Sequence, residues 1–273
     1  MTIRFYRSEF ATIVFHVLWG ALTAWGQSQP AAPASAPVTL QNLGKPMLLP
    51  YQCTPDDQQW AGLDCSESEP CPIYLELSAT ESSGARLFVT GNIHSATVTL
   101  YSVLLASDDA GLTWSEAHSR IRGAGLDRIQ FFDIATGWAG GAVLFPLPQD
   151  PFLLLTTDGG RTWRQRPFFG ETFQGSLQQF LFTSRTDGRA ILDRGPASRE
   201  RYALYESPDG GETWAFRQES DRPLELSRPT AARPAWRVRA DGPSQSFHVE
   251  RRDEERWSKV AAFAVKLNAC QAP

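Results

Sequence analysis

The chain has 273 residues, 42% of them hydrophobic and 21% charged. That balance excludes a disordered chain, a collagen-like fibre and a many-span membrane protein. Lys+Arg 26 against Asp+Glu 30 gives a net charge of −4, so no global basic field draws the chain to nucleic acid.

Arg4 and Arg7 precede an almost wholly apolar run over 10–25, which is broken by His16. Ala24 and Gly26 are small residues two apart, a pattern that predicts a secretory signal peptide over 1–26. The run is short for a bilayer span of about 20 residues. An uncleaved signal anchor is the alternative, and the one route by which this reading places the chain at a membrane. Residues 27–38 are rich in Ala, Pro and Ser and read as a spacer. The expected location is periplasmic or secreted.

Export gives the four cysteines a meaning. Cys53, Cys65, Cys71 and Cys270 form an even set in an oxidising compartment, which favours two disulfides. Three connectivities are open. Zinc is the rival, but the spacings lack the CxxC pairs of structural zinc sites. Residues 39–72 are read as a Cys-bearing N-terminal segment.

A repeat organises 73–270. Ser107-Asp-Asp109-Ala-Gly111-Leu-Thr113-Trp114 is matched by Thr156-Thr-Asp158-Gly-Gly160-Arg-Thr162-Trp163 and by Ser207-Pro-Asp209-Gly-Gly211-Glu-Thr213-Trp214. All three fit [ST]-x-D-x-G-x-T-W, with the aspartates 49 and then 51 residues apart. The chemistry is that of a tight turn. The Asp side chain accepts backbone N–H groups, Gly supplies positive φ, and Thr-Trp opens the next strand. Strand-like runs flank each octet, at 100–106 and 113–118, 152–157 and 162–166, and 201–206 and 213–218. Two more runs lie upstream of each, at 73–78 and 85–91, 128–132 and 136–143, and 178–183 and 188–193. Four short strands per period of about 50 residues predict propeller blades. A degraded fourth unit has strands at 235–240 and 246–252, Asp253 to Trp257 in place of the octet with Trp257 as its lid, and an outer strand at 258–265. Thr54-Pro-Asp56 to Trp60 faintly echoes the third octet.

At these octets the sequence resembles the Asp-box, or bacterial neuraminidase repeat, propellers. That superfamily includes sialidases, sortilin-type receptors and the photosystem II assembly/stability factors. The stretch from Ile129 through Asp133, Gly137-Trp138 and Asp158 to Trp163 is most similar to a blade of the last group. The resemblance implies an all-β propeller of four-stranded antiparallel blades, about four of them recognisable, with octet hairpins at the outer rim and binding residues around the channel mouth. It implies no activity by itself, because one architecture carries many functions. Sialidases and photosystem factors have more blades than this length allows. No Arg-Ile-Pro triplet occurs here, so no catalytic residue is carried over.

Asp109, Asp158 and Asp209 are therefore read as turn holders, and Trp114, Trp163 and Trp214 as structural lids. Asp127, Arg128 and Asp133 are the mouth candidates. His94, His118 and His248 fall in different units without metal-type spacing. No Gly-x-Ser-x-Gly elbow marks a nucleophile, and Asp158-Gly-Gly160 lacks the Lys of a phosphate loop. No cofactor or metal is assigned. Residues 27–84 hold one Lys against seven Asp/Glu, and 217–259 hold ten Arg/Lys against eight Asp/Glu. The two segments are expected to pack together when the ring closes; an Arg-bearing partner surface is the alternative. A disulfide from Cys270 is expected to fasten the ring, with Cys71 as the preferred partner because it lies just before the first strand. The leading function is a non-catalytic binding or assembly-scaffold propeller with a protein or carbohydrate ligand at the mouth. The alternatives are a sialidase-type glycoside hydrolase and an incomplete ring that closes by dimerising.

Overall fold

A computed structural model describes residues 38–227 and 235–271. The expected signal peptide and the spacer up to residue 37 lie outside the described residues. A short strand β1 (Leu40–Gln41) and a helix α1 (Pro55–Ala61) come first. β2 (Cys71–Ser83), β3 (Arg86–His94), β4 (Thr99–Ser107) and β5 (Thr113–Glu116) then form an antiparallel meander. The second sheet is β6 (Ala124–Phe131), β7 (Gly137–Val143), β8 (Gln149–Thr156) and β9 (Arg164–Pro167). The third is β10 (Ser176–Phe182), β11 (Gly188–Asp193), β12 (Tyr202–Ser207) and β13 (Ala215–Ser220). The fourth has three strands, β14 (Trp236–Asp241), β15 (Ser246–Asp253) and β16 (Arg256–Ala264). A last strand, β17 (Lys266–Cys270), leaves it and pairs with β2.

Burial follows position in the sheet. β3 and β7 are buried along almost their whole length, as strands packed on both faces are. β13, at the outer edge, carries Arg217, Gln218 and Glu219 and is exposed, which protects an open edge from pairing. The first strands β14, β2, β6 and β10 lie side by side in that order. The architecture is a β-propeller of antiparallel blades, stabilised by two disulfides.

The three octets repeat one hydrogen-bond pattern. In the first, the Ser107 hydroxyl donates to Asp109 Oδ1 at 2.9 Å and accepts from Gly111 N–H at 2.8 Å. Asp109 accepts the Thr113 N–H at 2.8 Å and the Thr113 hydroxyl at 2.6 Å. Thr156, Asp158, Gly160 and Thr162 repeat this set, and so do Ser207, Asp209, Gly211 and Thr213. The fifth position is Gly because its φ is +94, +78 and +95 at Gly111, Gly160 and Gly211, where an L side chain is strained.

That same Gly seats the octet on the preceding sheet. Gly160 lies against the Phe88 ring of β3, and the Trp163 ring meets Phe88 edge-on at 5.8 Å. Gly210 O accepts the indole N–H of Trp138 on β7 at 2.8 Å. Gly111 lies against Val260 of β16, and Trp114 meets Phe263 edge-on at 5.4 Å. The fourth sheet thus stands before the first. Core clusters join the fourth sheet to the first, the first to the second and the second to the third; among the described residues no hydrophobic cluster spans the third and fourth.

The N-terminal segment straps the fourth sheet to the first. β1 pairs with β5, with Leu40 opposite Trp114. The Asn42 amide donates to Gly111 O at 2.9 Å and to Val260 O at 2.7 Å, one from each sheet. Met47 then lies parallel to β16, exchanging bonds of 2.8 Å with Ala262 and Ala264. The Cys53–Cys270 disulfide, 217 residues apart, ties this strap to β17.

Several expectations need correction. Cys270 is bonded to Cys53, and Cys71 to Cys65. Cys71 does stand directly opposite Cys270 in the β2–β17 ladder, but the short loop after Cys65 folds back to take its thiol, and the strap supplies Cys53. Asp253 to Trp257 is no octet. Asp253 pairs with Arg256 across a two-residue turn, and Trp257 lies within β16 under the Arg237 guanidinium at 4.2 Å. The run 258–265 is the continuation of that same strand. The stretch from Thr54 to Trp60 is helix α1, with Thr54 and Asp57 forming a capping box; Pro at the first turn and two acids there suit a helix start better than a hairpin. The acidic lead-in does pack beside the last unit, through the strap and β2, but two of its acids are used elsewhere. Asp56 and Asp57 pair with Arg122, while Arg237 and Arg239 share Glu250 within their own sheet.

The Asp158 carboxylate is held by its turn. Partial desolvation works against the charge, but bonds from Thr162, Thr156 and Arg161 outweigh it and bring the carboxyl down to about 2. Asp158→Ala should lower stability by about 0.5–2 kcal/mol, read by urea unfolding. Because the folded value lies below the ordinary 3.8, the contribution is complete above about pH 4 and is lost as pH falls toward 2. The difference between wild type and variant should shrink over that window.

Candidate functional site: the channel between the first strands

Each of the first three sheets breaks its regular pairing at one equivalent place. Leu77 faces Gly91 and Ala79 faces Thr90, so Ser78 is an extra residue in β2. Leu126 faces Gly141 and Arg128 faces Gly140, which leaves Asp127 extra in β6. Leu177 faces Leu192 and Gln179 faces Ile191, which leaves Gln178 extra in β10. A bulge of this kind bends the strand and re-aims a side chain. The bulge needs space across the ladder. A Cβ on Gly91 would overlap the Glu76 carbonyl, and one on Gly141 the Gly125 carbonyl.

The bulged strands converge on a cavity of about 230 Å³. Ser78 and Ala79 line it from β2, Asp127 to Gln130 from β6, and Gln179 to Leu181 from β10. Leu226, from the segment after β13, completes the wall and is held by its N–H to Gln179 Oε1 at 2.9 Å. Gln130 splices the second sheet to the third: its amide donates to Phe182 O at 2.7 Å and accepts Phe182 N–H at 3.0 Å. Arg128 Nε donates to Gln178 O at 2.7 Å.

Asp127 keeps solvent contact at the mouth, yet protein surrounds it on most sides. Desolvation raises its carboxyl above the ordinary value; the Arg128 guanidinium works the other way, and Glu76 on β2 adds to the rise. An acceptor and a donor thus stand next to each other at the mouth. The hydrogen-bonding edge of the site is polar and its floor, with Ile129, Phe180 and Leu181, is apolar.

The expected mouth residues divide. Asp127 and Arg128 line the cavity, whereas Asp133 does not. Asp133 accepts Thr136 N–H at 2.7 Å and Ala135 N–H at 2.9 Å in the β6–β7 turn, and pairs with Arg185 at 2.6 Å. Those bonds, the backbone ones first, lower its carboxyl to about 2. A residue next to a strand end looks like a mouth residue in sequence, but β6 lines the cavity over 127–130 and Asp133 lies in the turn beyond it. Ser78, Gln130 and Gln179 were missed because polar residues in a strand carry no mark of which way they face. The pattern Thr90-Gly91-Asn92 beside Ala139-Gly-Gly141-Ala142 was the available signal, since Gly inside a strand marks a bulge or a close backbone.

The octet side chains lie away from this cavity. Trp114 is 1% exposed, and its indole N–H donates to Gly111 O at 3.1 Å; Trp163 repeats that bond to Gly160 O. Trp214 stacks on Phe168 at 4.5 Å. His94 sits in β3, His118 after β5 and His248 in β15. Among the described residues, no group of His, Cys, Asp and Glu is arranged to hold a metal ion, and no helix is long and apolar enough to cross a membrane. A larger groove of about 470 Å³ lies by the β14–β15 hairpin, between Tyr74, Gln245 and Lys266. It is an open surface, without the convergence of strands that marks the channel.

No protein-family model matches the chain, and no curated protein is similar to it. Solved structures do share similarity. A GH74 xyloglucanase from Xanthomonas campestris is 19% identical over 48% of this chain and 18% of its own, with a TM-score of 0.36. YCF48 from Cyanidioschyzon merolae is 15% identical over 72% of this chain and 57% of its own, at 0.36. An alpha-L-arabinanase from Penicillium chrysogenum, complexed with arabinobiose, is 15% identical over 82% of this chain and 66% of its own, at 0.37. This chain therefore spans less than two thirds of each of them. Similarity of this degree transfers no activity, substrate or partner.

The bulge geometry is open to test. Gly141→Ala should cost about 1–3 kcal/mol through the forced overlap with Gly125. Gly170→Ala, with nothing within 4 Å of the added carbon, should change stability by less than about 0.5 kcal/mol. Equal effects in thermal unfolding would remove the steric account of the bulge.

Proposed function

We propose that this chain is an exported, non-catalytic propeller of the Asp-box type that acts as a binding or assembly-scaffold protein, with its ligand at the channel mouth. One observation carries the reading. The cavity at the converging first strands holds about 230 Å³, below the roughly 300–1,000 Å³ of ordinary small-molecule clefts. It has room for a side chain or two, which favours a protrusion of a protein partner over a bound sugar chain. Asp127 and Arg128 supply the adjacent acceptor and donor that would orient it.

The two disulfides support an oxidising compartment and so the export reading. The sialidase-type alternative asks for three converging Arg with a Tyr–Glu pair. Among the described residues the cavity is lined by a single arginine, Arg128, and by no tyrosine. The dimer-closing alternative draws support from the unspanned third and fourth sheets. Against it, the face of the third sheet turned from the second carries Arg189, Glu206 and Arg217, and that of the fourth carries Arg237, Glu250 and Arg239. In each, two arginines share one glutamate, a charged ladder in place of an apolar contact face.

The test is co-purification of partners from the native envelope with the wild type and with an Asp127→Asn/Arg128→Ala variant. The expected result is loss of the captured partner with an unchanged melting temperature. Equal capture by both proteins would overturn the mouth as the binding site. Clear turnover of a fluorogenic sialoside by the wild type would end the non-catalytic reading.

A further inference from the structure

The four cysteines form one connected patch. Cys53, Cys65, Cys71 and Cys270 all belong to the core where the strap, β2 and β17 meet. Cys71 and Cys270 face each other directly in the β2–β17 ladder, although each is bonded to a different partner. Directly opposed residues of an antiparallel pair have Cα atoms about 4.5–5.5 Å apart and side chains on one face. That lies within the span of about 4.4–6.8 Å that a disulfide bridges. A Cys71–Cys270 bridge is therefore compatible with the strands as they stand.

Each bridge joins a buried cysteine, Cys65 or Cys270, to a half-buried one, Cys71 or Cys53. Residues 67–70, which Cys65 and Cys71 close into a loop, are exposed. Cys71 is half-buried, while Cys270 is wholly buried. An external reductant reaches the Cys65–Cys71 bridge at Cys71, beside this loop. The Cys270 sulfur is approached from within, by its neighbour across the ladder.

We propose that the two disulfides form a thiol–disulfide switch, in which reduction of the outer bridge is passed inward to release the strap. An external dithiol attacks Cys71 Sγ and expels the Cys65 thiolate; its second thiol then displaces Cys71. The dithiol leaves oxidised, having given up two electrons. The Cys71 thiolate next attacks Cys270 Sγ, forming Cys71–Cys270 and expelling the Cys53 thiolate. This second step is redox-neutral. The two protons lost by the dithiol end on Cys53 and Cys65. The ladder between β2 and β17 stays bonded, now covalently, while the segment before α1 loses its covalent hold on the C-terminal strand.

Exchange of this kind proceeds through thiolate attack on an accessible sulfur. The experiment treats the full chain with a limiting amount of dithiothreitol, quenches in acid, alkylates the free thiols and maps the peptides. Cleavage at Asp57, Asp64 and Glu69 separates Cys53, Cys65 and Cys71. The expected product is a Cys71–Cys270 linked peptide, with the alkyl label on Cys53 and Cys65. Singly reduced molecules with label confined to Cys65 and Cys71, or to Cys53 and Cys270, would overturn the proposal. Cys65→Ser gives a second reading without added reductant. It should show both Cys53–Cys270 and Cys71–Cys270 bridges, and a sole Cys53–Cys270 bridge with a free Cys71 counts against the switch. If that variant fails to fold, the wild-type mapping decides alone.

Discussion

The seating of each octet on the sheet before it is the interaction on which the architecture depends. Within its own blade the octet is a turn between the third and fourth strands. Between blades it is a fastener. Gly160 and Trp163 grip Phe88, Gly210 takes the Trp138 indole, and Gly111 and Trp114 grip Val260 and Phe263. The fourth sheet has no octet, so it has nothing to seat on the third. Its own β16 is instead the seat for the first octet. Among the described residues, the absence of a core cluster between the third and fourth sheets follows from the same sequence difference that made the fourth unit look degraded.

With one seam left unfastened, the opposite closure must hold. It is made by parts of the chain far apart in sequence: β1 on β5, Met47 on β16, Asn42 across both, and β17 on β2. The disulfide there closes a loop of 217 residues. In the chain-entropy account such a link removes about 5 kcal/mol of freedom from the unfolded chain, against about 2 kcal/mol for a loop of the size closed by Cys65–Cys71. The two bridges are chemically alike and unequal in weight. The long one constrains the whole molecule, and the short one shapes a single turn.

What was legible in the sequence was what is local. Ser107, Asp109, Gly111 and Thr113 satisfy one another within a few residues, so their spacing announces the turn and its repeat announces the blades. The strap was not legible, because Asn42 and Met47 act on residues more than sixty positions away. Two disulfides, one of them from Cys270, were expected and are present; only the preferred partner Cys71 was wrong, for a related reason. Cys71 and Cys270 were rightly placed side by side, but adjacency on a ladder does not decide among four sulfurs that meet at one spot. At the site, Asp127 and Arg128 were found from their place beside a first strand. Ser78 and Gln179 needed the bulge, a property of pairing that Gly91 marks only from the partner strand and that no glycine marks opposite Gln178. Helix α1 was misread because Thr-Pro-Asp-Asp serves a helix cap as well as a turn, and only tertiary packing separates the two.

Gln130, itself part of the lining, sets a limit on the channel. Its amide occupies both hydrogen-bonding groups of Phe182, one donor and one acceptor, much as a strand residue would. The gap between β6 and β10 is thereby fixed to the reach of one glutamine. A single side chain thus serves in place of the strand pairing that is missing between these two sheets.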